Sequence, residues 1–508
     1  MSARSVKSRF AITLAANIVR TGLSFLTGIV IARGLGPEEY GDFTFLLSSF
    51  IALRQLLDMG TGAAFYTFLA QKSRPAAFVG SYLLWQLLQF LIPALFIGLV
   101  FPRQWVDLIW IGQQRELVLL ALLATFLQQQ AWQTVAQIGD ASRLTHRVQG
   151  FGLILSILHF LAIVALWFGG WISVTVIFAL IVFEYVVALP LAYRFLRAPT
   201  DREDTLFDWR AMLRDYRAYC QPLILYSWMG FAYAFADTWL LRNYGGATEQ
   251  GFYAVSNQLS SICLLATTAI IQILWKEIAE AHRQQDHLRI ETLFRRTSRF
   301  VFWFGAAVSG LLIPWSAEIT RTLLGPAFAD GAAALAIMLL YHTYGALGQV
   351  MGIMFLATRR TKPQVVIGII FMAISIPVSY LVQAPASAPV PGLELGGIGM
   401  AVKMLALVII NVNVIGWWIA RTSGWRLDWH YQPVGIGAML ACGWLAYRIG
   451  EFGMLRGSLP VQSAVALVAF VMLAGATLWA MPWIAGTTRK EITQLLTRFW
   501  ALPFSRKR

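Results

Sequence analysis

The chain is poor in charge. Only 13% of its 508 residues are Asp, Glu, Lys or Arg, while 58% are hydrophobic; a typical soluble domain carries about 25% charged residues. So little charge over so long a chain cannot cover a water-facing surface, which excludes an ordinary soluble enzyme and makes the bilayer the natural solvent. Cysteine is scarce too. Cys220, Cys263 and Cys442 are the 3 present, each in or beside an apolar stretch and without CxxC spacing, so no disulfide framework or cysteine metal site is implied. The 6 histidines are scattered, and HExxH is absent, so no metal site is expected. GxSxG is absent as well. No Gly-Lys dipeptide occurs, which removes the P-loop and with it direct ATP drive within this chain. Acid is outnumbered: 25 Asp+Glu face 40 Lys+Arg, a net charge of +15. In a soluble protein that excess would suggest nucleic acid. In a membrane protein it is the positive-inside signature, and no nucleic-acid partner is expected.

What the chain does have is helix-length apolar runs. A bilayer core of ~30 Å needs about 20 residues per crossing. Runs of that kind lie at 10–33, 41–64, 76–101, 116–138, 150–168, 173–195, 219–241, 252–275, 301–323, 332–356, 365–383, 396–420, 433–449 and 462–482. The fold expected is an all-α polytopic membrane protein of about fourteen transmembrane helices. Lys and Arg concentrate in alternate connecting segments: the N-terminus, 65–75, 139–149, 194–218, 276–300, 357–364, 421–432 and the tail. That asymmetry predicts a multi-pass protein of the inner (cytoplasmic) membrane with both termini cytoplasmic. The apolar run after the basic N-terminus is too long for a signal peptide and reads as a retained first helix. In the linker, Leu206, Trp209, Leu213 and Tyr216 share one helical face, with Arg202, Arg210, Arg214 and Arg217 on the polar side. This predicts an interfacial helix resting on anionic membrane lipids, and 489–500 reads the same way. The opposite-side loops are short, leaving no room for an outer catalytic domain.

The chain also carries an internal similarity. IARGLGPEEYGDFTFLLSS follows the first apolar run, and LLRNYGGATEQGFYAVSNQLSS follows the seventh. Arg33 matches Arg242, Gly36 matches Gly245, Gly41 matches Gly251 after one inserted residue, and Phe43 matches Tyr253. The offset spans six helices, an even number, so the halves read as two parallel six-helix lobes around a central cavity, followed by two C-terminal helices. The boundaries expected are 1–218 for the N-terminal lobe with its amphipathic linker, 219–420 for the C-terminal lobe, and 421–508 for the final pair and basic tail. A chance match of loop-and-helix grammar is the competing explanation.

Ionisable residues deep in apolar helices are costly and default to functional candidates. Arg20 and Arg54 each lie about ten residues from the cytoplasmic end of their helices, so both sit ~15 Å deep. Arg54 and Asp58 share a face. In one reading they pair with each other and lock two helices. In the other, Arg20 and Arg54 line a hydrated cavity and grip an anionic headgroup, a task that suits the planar guanidinium fork. Asp58, Asp237 and Glu184 are candidates for carrying a coupling proton or sodium ion. Nothing in the sequence selects among the three. Lys403 lies seven residues into the run at 396–420.

The run Arg33-Gly34-Leu35-Gly36-Pro37-Glu38-Glu39-Tyr40-Gly41, with Phe43 and Ser48, resembles the opening of Wzx-type polysaccharide flippases, members of the multidrug/oligosaccharidyl-lipid/polysaccharide exporter superfamily. Gly245 to Asn257, with Asp237 upstream, is similar to the matching motif of that family's second lobe. Leu323-Leu324-Gly325-Pro326-Ala327-Phe328, then Ala332, is similar to its loop between helices 9 and 10. The resemblance covers roughly residues 8–420. It implies a flippase, not an enzyme, that moves a polyprenyl-diphosphate-linked oligosaccharide across the cytoplasmic membrane by alternating access. It implies a basic substrate cavity, to which Arg20, Arg54 and Lys403 would contribute. It implies no cofactor beyond coupling to a proton or sodium gradient or to the membrane potential. The partners implied are the lipid-linked glycan, membrane lipids and polysaccharide polymerase or assembly proteins. The chain departs from many relatives in having about fourteen helices rather than twelve. A cation-coupled small-molecule or drug exporter of the same superfamily is the alternative, and a membrane glycan polymerase or ligase a third.

Overall fold

The computed structural model describes the backbone of residues 3–72, 74–196, 208–358, 360–452 and 459–501. Among the described residues all regular structure is helical. The chain begins α1 (Ala3–Asp58), α2 (Thr61–Gln71), α3 (Ala76–Leu95), α4 (Arg103–Ile109), α5 (Arg115–Thr125), α6 (Trp132–Ala141), α7 (Thr145–Phe168) and α8 (Val174–Leu196). It continues with α9 (Trp209–Cys220), α10 (Ile224–Leu240), α11 (Gly246–Ser260), α12 (Leu265–Arg283), α13 (His287–Leu312), α14 (Ser316–Ile319) and α15 (Ala332–Ala357). Last come α16 (Thr361–Gln383), α17 (Gly396–Ser423), α18 (Tyr431–Phe452), α19 (Leu459–Ala480) and α20 (Arg489–Ala501). Every apolar run in the sequence coincides with helix, and 9 helical stretches among the described residues are long and apolar enough to cross a membrane. The protein is a multi-pass membrane protein.

The chain divides into two compact units, Met1–Val255 with Met372–Gly399, and Ser256–Phe371 with Met400–Arg508. In the first, α1 packs along α7, α10 and α5. No loop separates the first two apolar runs. Instead α1 breaks at Gly36 (φ 74°, ψ 174°), and Pro37 starts the next segment. That backbone region is open essentially to glycine alone. Proline suits the first position of a helix, where its missing N–H has no partner to lose.

The same device recurs twice. Gly246 (φ 87°, ψ 177°) follows a π-turn at Leu241–Gly245, and Gly325 (φ 102°, ψ 169°) follows one at Thr320–Leu324. The internal repeat is therefore real in the backbone, but its register is Gly36 on Gly246 rather than Gly245. In that register the two copies pack on each other reciprocally. A Cβ at Gly41 would lie 1.8 Å from the Ala247 carbonyl oxygen, and one at Gly251 would lie 2.0 Å from that of Pro37. Arg242 Nη2 closes the contact on Asp42 at 2.7 Å.

The run at 41–64 is not one helix. It ends at Asp58, passes through Met59 (φ 47°) and Gly60 (φ 86°), and resumes as α2 as far as Gln71. Two consecutive left-handed residues cannot continue an α-helix.

In the linker, Asp208 caps α9 by accepting from the Arg210 and Ala211 N–H groups. Leu206 and Arg202 lie outside the described residues. The buried side of α9 carries Met212 and Tyr216, packed against Phe65, Phe78 and Tyr82. Trp209 and Leu213, expected on that same face, are 57% and 49% exposed. The helix thus packs on one stripe and leaves a second apolar stripe uncovered.

In the second unit, α13 packs against α12, α15 and α18, and α18 against α19. The fit of α18 on α13 is tight: a Cβ at Gly443 would lie 1.8 Å from the Gly310 carbonyl oxygen. Midway along, α13 is tied to the C-terminal part of the chain by Arg299 on Asp428 (2.5 Å) and Arg296 on Glu491 (3.0 Å). Hydrogen bonds from the Thr488 backbone and hydroxyl hold the Glu491 carboxyl below the usual carboxylate range.

Candidate functional site

The first unit gathers polar side chains inside its apolar helices around α6. The stretch Phe126–Ala131 before α6 is a π-turn carrying three consecutive glutamines, Gln128 to Gln130. An inserted residue of this kind re-aims side chains and is common at functional sites. Arg54 Nη1 donates to the Gln129 carbonyl oxygen at 2.9 Å, and Nη2 donates to Gln133 Oε1. Gln130 donates to Gln89 Oε1, and Gln89 Nε2 donates to the Leu57 carbonyl oxygen at 2.6 Å. Gln86 Nε2 donates to Thr134 Oγ1 at 2.5 Å. Gln86, Gln89, Gln130 and Thr134 are all buried. A cavity of only 20 Å³ opens between Arg54, Gln89 and Gln130, about the size one water needs. Buried amides of this kind have to be hydrogen-bonded, and here they hold one another and Arg54 in place.

Arg20 occupies the other part of α1. It is half-buried, and Nη2 donates to Asn17 Oδ1 at 3.3 Å. Its guanidinium lies over Gly152 of α7, where a Cβ would come within 3.1 Å of Nη1. The Trp132 ring also faces Gly152, and it meets Tyr185 edge-on at 6.0 Å. Consecutive residues of α6 thus address the two arginines: Trp132 borders the Arg20 pocket and Gln133 binds Arg54. Next to Tyr185 on α8, Glu184 Oε2 sits 2.8 Å from His159 Nδ1 of α7. Both side chains are largely buried, at 9% and 18% exposure.

Not all of the expected residues join this group. Asp58 does not pair with Arg54. It accepts from Gly62 N at 2.8 Å, Thr61 Oγ1 at 3.0 Å and Gly60 N at 3.2 Å, which anchors the first turn of α2 after the break. Removing that anchor costs about 1 kcal/mol. Asp58→Ala is therefore expected to lower the melting temperature of the detergent-purified protein by a few degrees. An unchanged melting temperature would show that Asp58 does not hold α2. Asp237 of α10 accepts from the Ser379 hydroxyl of α16. Lys403 belongs to the second unit, where it is 2% exposed with Nζ 3.8 Å from Met404 Sδ.

The glutamines, Gly152 and His159 do not stand out from sequence reasoning as site residues. The glutamines leave a usable signal, since three consecutive amides interrupt an otherwise apolar run. His159 leaves none, because its partner is 25 positions away on another helix.

The family description "Polysaccharide biosynthesis protein" matches residues 6–275, more than half of the chain. The chain belongs to that family. The backbone of this polysaccharide biosynthesis family member is also similar to solved structures. One is the lipid II flippase MurJ in an inward closed conformation, at TM-score 0.68 and 11% identity over 93% of this chain and 99% of that one. Another is an inward-facing multidrug resistance MATE family transporter of the MOP superfamily, at 0.61 and 14% over 82% and 99%. A third is a MOP superfamily transporter from Pyrococcus furiosus, at 0.52 and 16% over 82% and 94%. At these identities the likeness is one of fold.

Proposed function

We propose that this protein is a flippase that moves a polyprenyl-diphosphate-linked oligosaccharide, a surface polysaccharide precursor, across the cytoplasmic membrane by alternating access. One observation carries the reading. Arg20 and Arg54 sit in apolar membrane helices, and among the described residues neither takes part in an ion pair. Their hydrogen-bond partners, Asn17, Gln129 and Gln133, are all neutral. A guanidinium oriented by neutral amides retains its attraction for a diphosphate, whose oxygens it grips bidentately. Family membership and the flippase fold support the same reading, and the basic segments support cytoplasmic termini.

Of the three acidic candidates, Glu184 is the one we assign to coupling. Asp58 is occupied in holding α2 and Asp237 by Ser379, whereas the His159–Glu184 pair joins two groups able to exchange a proton. The headgroup would travel between the arginines while the lipid tail stays in the bilayer, and no covalent bond would change.

A strain lacking this chain tests the proposal. It is expected to lose surface polysaccharide, to accumulate the lipid-linked glycan, and to keep its resistance to cationic drugs. Drug sensitivity with normal surface glycan would instead identify a drug exporter.

A further inference from the structure

The second unit holds a separate cavity of 220 Å³ where α12, α15 and α17 end and α13 begins. His282, His287 and Arg360 line it together with Trp418, Trp425 and Thr422, and no carboxylate does. Cations at helix C-termini often serve only to satisfy the last carbonyls. That explanation fails here. Among the described residues, the side chains of His282, His287 and Arg360 make no hydrogen bond or ion pair. Other cations of the same end are paired: Arg283 with Glu280 at 2.7 Å, Arg289 with Glu277 at 2.5 Å and Arg295 with Glu291 at 2.8 Å. Asp286, adjacent to His287, is turned to its own helix and accepts from Arg289 N at 3.0 Å.

Aromatic side chains share the lining, and each indole packs on a neighbouring ring. Trp418 leans on Phe355 at 5.2 Å and Trp425 on Phe294 at 6.0 Å. Basic donors and packed indole rings around one cavity suit a ligand with an anionic end and a flat, weakly polar face. The volume falls below the ~300–1,000 Å³ of pockets for drug-sized ligands. A single sugar ring with one phosphate is of that size, and a nucleoside diphosphate is too large. Phosphate oxygens are natural acceptors for a guanidinium and imidazoles, and the C–H face of a pyranose packs on indole.

We propose that this cavity binds a phosphorylated monosaccharide, with Arg360, His287 and His282 taking the phosphate and Trp418 and Trp425 the ring. The site lies at the basic end of the unit, where such metabolites occur if that end is cytoplasmic. The inference goes beyond the flippase reading and does not depend on it.

Calorimetric titration of the full-length, detergent-purified protein tests it, with glucose 1-phosphate, galactose 1-phosphate, glucose 6-phosphate, inorganic phosphate, glucose and uridine monophosphate as separate probes. Saturable binding of at least one sugar phosphate is expected, at least tenfold tighter than inorganic phosphate or glucose. Arg360→Gln and His287→Gln should each weaken it about tenfold. Trp418→Leu should weaken the sugar phosphate but not inorganic phosphate. Arg360 and His287 are exposed, so their variants should remain monodisperse on gel filtration. No binding of any sugar phosphate overturns the proposal. Inorganic phosphate binding as tightly as the sugar phosphates, or uridine monophosphate binding more tightly, overturns the sugar assignment. Because nothing in the assay reads transport, a failed flippase assay leaves this result standing, and the converse also holds.

Discussion

Gly41→Val is expected to remove most of the folded protein from the membrane. A side chain at that position has nowhere to go. Its Cβ would lie 1.8 Å from the Ala247 carbonyl oxygen and 2.7 Å from the carbonyl carbon. Both atoms are backbone, so no rotamer change relieves the clash and the helices must move apart. Overpacking a tight interior costs about 1–3 kcal/mol even where side chains can adjust, and here they cannot. Separation would also break the reciprocal contact of Gly251 with Pro37 and strain the Arg242–Asp42 pair, since all three belong to one crossing. Gly251→Val should behave alike. Gly22→Ala is the control, because a Cβ there meets nothing within 4 Å. Membrane abundance and gel-filtration profile in mild detergent read the outcome. A Gly41→Val protein as abundant and monodisperse as the parent would show that the crossing is not close-packed.

Arg54→Ala is expected to reduce glycan export by ten- to a hundredfold at unchanged protein level. A hydrogen bond to a charged group is worth about 1.5–3 kcal/mol, and each 1.4 kcal/mol is a factor of about ten. The Gln129 carbonyl and Gln133 lose a donor in the variant; under the proposed function the anionic headgroup loses its guanidinium as well. Arg54→Lys should recover part of the rate. Lysine keeps the charge but not the two-pronged geometry. Arg20→Ala should match Arg54→Ala, because Arg20 also lacks a carboxylate partner among the described residues. Surface polysaccharide per cell, normalised to the amount of protein in the membrane, measures the effect. Parental export by the Arg54→Ala protein would remove the arginine from the mechanism.

The two predictions draw on features that were unequally legible in the sequence. Apolar run length marked the long helices but not short ones such as α4, because each crossing needs about 20 residues that the bilayer tolerates. The Gly36-to-Gly41 motif was visible as a motif, yet its meaning was not. Only the backbone shows that Gly36 makes the break and that Gly41 makes the contact. The same limit shifted the repeat by one place. Gly245 and Gly246 are adjacent and chemically identical, and the positive φ of Gly246 is what identifies the turning residue. The interruption at Met59 and Gly60 was hidden inside an apolar run, since one glycine in such a run is ordinary.

The site divides similarly. Arg20 and Arg54 stood out because charge is rare in membrane helices. Pairing Arg54 with Asp58 came from their four-residue spacing, but that spacing assumed a helix continuing past Asp58. Once the chain breaks there, the carboxylate turns to the free N–H groups of α2 and Arg54 turns to α6. Contacts between distant helices, such as His159 with Glu184 and Arg54 with Gln133, arise from packing, which no local spacing encodes.

Under the proposed function, neutral amides hold two membrane arginines ready for a diphosphate headgroup. The purified protein in liposomes, with a fluorescent polyprenyl-diphosphate oligosaccharide and a membrane-impermeant quencher that reports each leaflet, tests this. The parent protein is expected to move the lipid between leaflets with its covalent structure unchanged, and an Arg20→Ala, Arg54→Ala double variant, equally well incorporated, is not. Equal movement by the double variant, or no movement of the diphosphate lipid by the parent alongside transport of a cationic drug, would contradict it.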